Sequence, residues 1–463
     1  MKGILIAGTK SGSGKTTVTL GLLAALRKRG ITTAPFKVGP DFIDPGHHRA
    51  ITGRNSYNLD GWMLSQDFNQ ASFAKNTQDA DIAIVEGVMG LFDGYDGKSE
   101  AGSAAQMAKW LNLPVILVVD AKSMARSAAA LVQGFERFDP DLRFAGVIFN
   151  NIGSPRHLKY LKDAMTGNVT MPCLGGLIRD KNIQMPERHL GLVTSEDHSM
   201  TVDFTDGLAD LIENSIDLDR LIDRLPEIEG LNWAYGNPNS KGRVKIGVAR
   251  DRAFCFYYPD NLEILQAYGA ELIEFSPIDD RNLPRDLDGL YLGGGYPELA
   301  AEDLFNNRSM QEQILEKSRQ GMPIYSECGG FMYLCREISD TQGNAFPMTG
   351  CFPFRTQMSK KLRSLGYREI TLSKSSILGN TKRKIRGHEF HYSEIIERDP
   401  DSEPETVFQV SARAGLKQTA TGYMIGRTLG SYIHLHFGSC PQAAGSFVES
   451  CLAYQRETAN KHE

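Results

Sequence analysis

Two groups of residues in this chain have types and spacing suited to chemistry. The first is Gly8-Thr9-Lys10-Ser11-Gly12-Ser13-Gly14-Lys15-Thr16-Thr17. It follows an apolar run, Ile4 to Ala7, and opens an amphipathic run, Val18 to Leu26. Strand, Gly-rich turn, helix is the setting of a phosphate-binding loop. Glycines let the backbone curl so that successive N–H groups face phosphate oxygens, and the new helix adds its positive end. Thr9, Gly12, Ser13, Gly14, Lys15, Thr16 and Thr17 are then the ATP contacts. Lys15 would reach the β- and γ-phosphates and the Thr16 hydroxyl would sit on Mg²⁺. The strict G-x-x-x-x-G-K-[ST] pattern puts its first glycine where Thr9 stands; Gly8 is one place earlier.

The second group centres on Ser326-Glu327-Cys328-Gly329-Gly330. A nucleophile between a strand and two glycines reads as an elbow that exposes its side chain at the top of a sheet. The Gly329 N–H, with one from Gly293-Gly294-Gly295, would form an oxyanion hole, with Gly294 as the second donor. A thiol needs a general base. The late run Gly430-Ser431-Tyr432-Ile433-His434-Leu435-His436 supplies two histidines. Aligning on Gly430 selects His434, and His436 is the alternative.

Further acids gather at strand ends near the phosphate loop. Glu86 closes the apolar run Ile82 to Val85, the position that holds Mg²⁺ directly or through water. Asp93 follows across a Gly-rich turn. Lys37, Asp41 and Asp44 stand at the carboxyl edge of the second predicted strand. One Asp beside Pro is usually turn chemistry. Four acids and a lysine around one phosphate loop point instead to a metal and an acceptor carboxylate. Asn150 and Asn151 either read an adenine edge or end a strand in a turn. Lys10 is expected in solvent.

The elements that must position these groups follow from periodicity. Gly3–Ala7, Thr33–Val38, Asp81–Glu86, Val115–Asp120, Ala145–Asn150 and Cys173–Ile178 read as buried strands separated by helices such as Ala101–Leu111 and Ser123–Phe135. That alternation predicts an N-terminal α/β domain, a P-loop doubly wound parallel sheet, over 1–229. Residues 230–243 are rich in turn formers and read as a linker. A second α/β domain spans 244–463, with strands at Val244–Ala249, Glu271–Phe275, Leu287–Leu292 and Pro323–Ser326 and a helix at Asn261–Tyr268. From about Thr356 to Ile433 more alternating strands are expected to pack at the sheet edge.

Composition narrows the function classes. Hydrophobic residues make up 41% and charged residues 23%, the mix of a soluble globular protein. Net charge is −5 and no basic run occurs, so nucleic acid is not an expected partner. No apolar run reaches membrane-spanning length, so no membrane association is expected. A cleaved signal peptide would destroy the phosphate loop, which places the chain in the cytoplasm. The seven cysteines are scattered without a C-x-x-C pair, against a disulfide scaffold or zinc ribbon.

These residues also carry a resemblance. The long phosphate loop resembles the dethiobiotin synthetase branch of P-loop proteins. Gly293–Glu298, Glu327–Gly330 and Gly430…His434 resemble a class I (triad) glutamine amidotransferase domain. That family usually places Glu two residues after the His, where this chain has His436; the resemblance therefore implies a missing or replaced third member. The two halves in this order are similar to the cobyrinate/cobyrate amidotransferase family, on Lys37–Asp44, Glu86–Asp93, Pro186–Leu192 and Arg386–Ser393. The resemblance implies a ligase that amidates the a and c acetates of a corrinoid, with ATP, Mg²⁺ and glutamine or ammonia. It implies Lys37, Asp41, Asp44, Glu86 and Asp93 in the synthetase site, Cys328 as glutamine nucleophile and His434 as its partner. Its partners would be small molecules, with a homodimer as an open assembly state. A related tetrapyrrole acid, hydrogenobyrinate or nickel-sirohydrochlorin, is the alternative substrate. A partition-type P-loop switch is the alternative class.

Overall fold

Short β-branched runs that are apolar on both faces need cover on both sides, and the first part of the chain provides it. The computed structural model describes residues 1–179, 187–188, 191–192, 201–228, 244–397, 404–411 and 419–460. It divides into two compact units, Met1–Tyr235 and Gly236–Glu463. The predicted linker, 230–243, lies outside the described residues.

The first unit holds β1 (Lys2–Gly8), β2 (Thr33–Val38), β3 (Tyr57–Leu59), β4 (Ile82–Glu86), β5 (Val115–Asp120), β6 (Phe144–Ile152) and β7 (Cys173–Ile178). They form one sheet in the order β3-β2-β4-β1-β5-β6-β7, parallel throughout. Alternation sends neighbouring side chains to opposite faces. Leu5, Val85 and Leu117 enter one apolar cluster, and Ile4, Ile6, Ile84 and Ile116 the other. β1 lies between β4 and β5, where the strand order reverses. A ligand crevice opens at such a switch point, beyond the carboxyl ends of the strands. The loop after β1 is the phosphate-loop sequence. β3 is not among the predicted strands, because three residues at a sheet edge carry too little periodicity.

β8 (Glu187–Arg188) and β9 (Gly191–Leu192) pair antiparallel. The rest of the Pro186–Leu192 motif lies outside the described residues.

The second unit opens with β10 (Val244–Ala249), β11 (Ala270–Phe275), β12 (Gly289–Leu292) and β13 (Ile324–Glu327), paired in parallel in the order β11-β10-β12-β13. Then come β14 (Cys335–Ser339), β15 (Ala345–Pro347), β16 (Phe352–Met358), β17 (Ser364–Leu372), β18 (Lys384–His391), β19 (Ser393–Glu397), β20 (Glu405–Val410), β21 (Thr419–Ile425), β22 (Thr428–Ser431) and β23 (Ile433–Leu435). β15-β14-β16-β19 is a separate sheet.

The expectation that Thr356–Ile433 only packs at the edge needs correction. β22 pairs in parallel with β13, inside the main sheet, which continues β22-β21-β20-β17-β18-β23. β22 and β23 are separated by Tyr432 alone, so the sheet folds back on itself. Glu327 pairs with Ser431 and His388 with His434. The end of β13 and the middle of β18 thereby meet. Among the described residues no helix is long and apolar enough to cross a membrane.

Candidate active site

In the first unit, Gly12 and Gly14 adopt φ of 74° and 97°, conformations that glycine takes without strain. A Cβ on Gly8 would lie 2.1 Å from Ser13 Oγ, and one on Gly14 would lie 1.9 Å from Asn150 Nδ2. Gly8 thus leaves the room that the displaced motif glycine would otherwise give. Asn150 Nδ2 donates to Ser13 O at 3.0 Å and braces the loop from β6. Asn151, with φ of 57°, donates to Asp120 Oδ1 at 3.0 Å. Both amides are therefore engaged with protein atoms. Lys10 is in solvent, 67% exposed, with Nζ 3.9 Å from Asp120 Oδ2. Thr9 N donates to Val118 O, and Thr17 lies in the first turn of helix Lys15–Lys28.

Lys15 and Thr16 begin that helix and face the ends of β2 and β4. Lys15 Nζ donates to Met89 O at 2.5 Å. Burial, and then the Lys37 charge, push its pKa down. Thr16 Oγ1 donates to Glu86 Oε1 at 2.7 Å, and Lys37 Nζ donates to the same oxygen at 3.0 Å. Lys37 also bonds Asp44. His48 Nε2 lies 2.9 Å from Glu86 Oε2, and its Nδ1 lies 2.9 Å from Ser56 Oγ. Burial would raise Glu86, but Lys37, His48 and Thr16 outweigh it and hold the carboxyl well below its usual range. Burial and the charges of Glu86 and Asp41 push Asp44 up, against Lys37. One ammonium serves three carboxylates here, and Asp44 is the one pushed upward.

Asp41 accepts from the N–H groups of Ile43 and Asp44, so it starts the helix Ile43–Thr52. Asp93 accepts from Gly90 N at 2.9 Å and shapes the turn after β4. His48 and Ser56 were missed by sequence reasoning. The signal available was the histidine four residues past Asp44, one helical turn along the same face.

Two polar atoms of this cluster, Ser13 Oγ and Asp44 Oδ1, are buried without a hydrogen bond in the protein. Such atoms ask for a ligand. Among the described residues no cluster of three or more His, Cys, Asp or Glu could hold a metal by itself. Mg²⁺ beside a phosphate loop takes most of its oxygens from phosphates and water. One hydroxyl and one carboxylate at 2.7 Å, Thr16 and Glu86, fit that need.

In the second unit Cys328 stands at the turn out of β13 with φ of 46°, a strained conformation for a residue with a Cβ. The elbow is buried rather than raised into solvent: Cys328 is 7% exposed. Its N–H donates to Ser431 O at 2.7 Å, and its Sγ lies 3.9 Å from Phe390 O on β18. A Cβ on Gly330 would lie 2.3 Å from Leu292 O, so glycine is needed for the close approach of β12. Burial, then Glu298, push the thiol pKa up, and the Gly329 N–H opposes them. The Gly294 N–H instead donates to Phe256 O at 3.3 Å. What Gly294 offers is space, since a Cβ there would lie 2.2 Å from His434 Cε1.

His434 Nδ1 lies 3.6 Å from Glu327 Oε2. His436 lies apart from it: the ring packs on Tyr258 at 4.6 Å, and Nδ1 accepts from Gly438 N. Burial alone pushes its pKa down to about 3. Most of the Arg386–Ser393 motif runs along β18, where Glu389 Oε2 accepts from Arg368 at 2.7 Å and Oε1 lies 3.0 Å from His391 Nε2.

The chain matches two known families. Residues 4–193 match the CobQ/CobB/MinD/ParA nucleotide binding domain, and residues 245–441 match the CobB/CobQ-like glutamine amidotransferase domain. A cobyrinate a,c-diamide synthase of Syntrophotalea carbinolica is 47% identical over 452 residues, covering 97% of this chain and 98% of its own. One of Leptospira interrogans is 42% identical over 97% of this chain and 98% of its own. One of Methanosarcina acetivorans is 41% identical over 98% of this chain and 96% of its own. Nucleotide-binding unit, amidotransferase unit and nearly full-length identity coincide, and the chain belongs to the cobyrinate a,c-diamide synthase family.

Proposed function

We propose that this chain amidates the a and c acetates of cobyrinic acid in the cytoplasm, with ATP and glutamine. The observation that carries the proposal is the pair of buried, unbonded atoms Ser13 Oγ and Asp44 Oδ1 beside Thr16, Glu86 and Lys37. Ser13 belongs to the phosphate loop and packs against Gly8, and Asp44 is an acid with a cation beside it, suited to an acceptor carboxylate. In this reading the substrate carboxylate oxygen attacks the γ-phosphorus and ADP leaves, giving an acyl phosphate. Lys15 and the loop N–H groups hold the phosphates, and Lys37 holds the acceptor. Thr16 and Glu86 would hold Mg²⁺, which would supply charge neutralisation there when bound. In the other unit His434 takes the Cys328 proton and the thiolate attacks the glutamine amide carbon. His434 returns the proton to departing ammonia, and water releases glutamate from the thioester. The Gly329 N–H serves the oxyanion; Gly294 would join it by leaving Phe256 O. Ammonia then attacks the acyl carbon and phosphate leaves.

Mass spectrometry of cobyrinic acid incubated with the protein, ATP, Mg²⁺ and glutamine tests this. Successive OH-to-NH₂ exchanges are expected at two carboxylates. Unchanged cobyrinic acid, with hydrogenobyrinic acid or nickel-sirohydrochlorin amidated in a parallel reaction, would move the substrate to that tetrapyrrole. ATP turnover that needs a protein partner and no tetrapyrrole would favour the switch class.

Glu86→Gln and Asp93→Asn should each slow amidation while leaving circular dichroism and glutamine hydrolysis intact. Glu86→Gln removes a charge shared by Thr16, Lys37 and His48, and a loss of about 100-fold is expected. Asp93→Asn keeps most of the turn bond and should cost less. Unfolding of Glu86→Gln would make this acid a structural group instead.

A further inference from the structure

We propose that Glu327 is the positioning residue of His434, supplying from the elbow strand the carboxylate that the His436 position does not. The proposal rests on the Cys328–His434 reading above. Glu327 sits immediately before the nucleophile on β13. Its side chain is 1% exposed and that of His434 is 3% exposed. The carboxylate is fixed by three donors. Oε1 accepts from Tyr325 OH at 2.5 Å and from Leu435 N at 3.0 Å, and Oε2 accepts from Tyr291 OH at 3.2 Å.

Leu435 is the residue next to His434. One carboxylate therefore ties down the histidine's backbone while its second oxygen lies 3.6 Å from ring Nδ1. At the neighbouring ring atom, bare Gly294 admits Cε1 where any Cβ would collide. The ring edge Cε1–Nδ1 thus faces a glycine and an acid.

The chemistry follows from the two ring nitrogens. An Nδ1–H directed at a carboxylate leaves Nε2 as the acceptor, the form needed to take a thiol proton. The imidazolium that forms next has an anion at hand. A separation of 3.6 Å is longer than a hydrogen bond, and contacts of this kind often tighten only when substrate is bound. The sequence position two after His434 cannot serve instead. His436 is buried, is neutral at ordinary pH and caps the turn at Gly438.

The competing role is a purely structural one, in which Glu327 only links β13 to β23 through Leu435. Three measurements on the full chain separate the two. In Glu327→Gln, kcat for glutamine hydrolysis should fall about 100-fold with KM for glutamine little changed. Amidation from free ammonia should persist. ¹⁵N NMR of histidine-labelled protein, with His434 assigned by loss of its signal in His434→Gln, should show the neutral Nδ1–H tautomer. Hydrolysis within about threefold of the unsubstituted chain would overturn the proposal, since loss of an orienting acid normally costs far more. So would an Nε2–H tautomer in the unsubstituted protein, a result that stands even where Glu327→Gln fails to fold. Glutamine hydrolysis that survives Cys328→Ala would sink the underlying reading rather than this one.

Discussion

Lys15→Ala is expected to abolish amidation whether glutamine or free ammonia supplies the nitrogen. Lys15 opens the helix behind the phosphate loop and is 8% exposed, with its ammonium on Met89 O and within the field of Glu86, Asp44 and Asp93. A charge fixed there costs no reorganisation when phosphoryl transfer begins. Its removal should cost about 1000-fold or more in the ATP-dependent step. Glutamine hydrolysis by the second unit should continue, measured as glutamate release. The substitution shortens a side chain at a ligand site, so the melting temperature should stay close to that of the unsubstituted protein. Amidation that persists with ammonia would remove the phosphate-loop assignment.

Cys328→Ala should produce the opposite division: no amidation from glutamine, and amidation from ammonia retained. Deleting the nucleophile of a covalent mechanism costs about a million-fold where it has been measured. The elbow and the phosphate loop belong to different compact units, and the ATP-dependent step is expected to survive loss of the thiol. Cys328 lies in the second unit's apolar core, and removing its sulfur should cost about 1 kcal/mol or somewhat more. Ammonia must be supplied at a pH where part of it is unprotonated. His434→Ala should show the same division in weaker form. Loss of both activities in a folded Cys328→Ala protein would refute the modular mechanism.

The sequence by itself determined the local features. Runs such as Val115–Asp120 and Thr33–Val38 coincide with β5 and β2, because an apolar β-branched stretch between helices has one stable use, a strand covered on both faces. The phosphate loop, Glu86 at the end of β4 and Cys328 at the end of β13 are likewise local, and each sits at the strand end where the spacing puts it. The tertiary structure alone decided the partners of these groups. That Asn150 braces Ser13, that His48 reaches Glu86, and that Glu327 faces His434 are contacts across 137, 38 and 107 residues of chain. No periodicity encodes them. They exist because parallel strands bring distant carboxyl ends to one edge, and because β22 and β23 turn at Tyr432 and join different strands. The difference in setting between His434 and His436 is of the same kind. Two residues apart and both buried, they differ in neighbours: one lies against Gly294 and Glu327, the other against Tyr258 and Asp260. Packing separates them, and packing is a property of the folded chain.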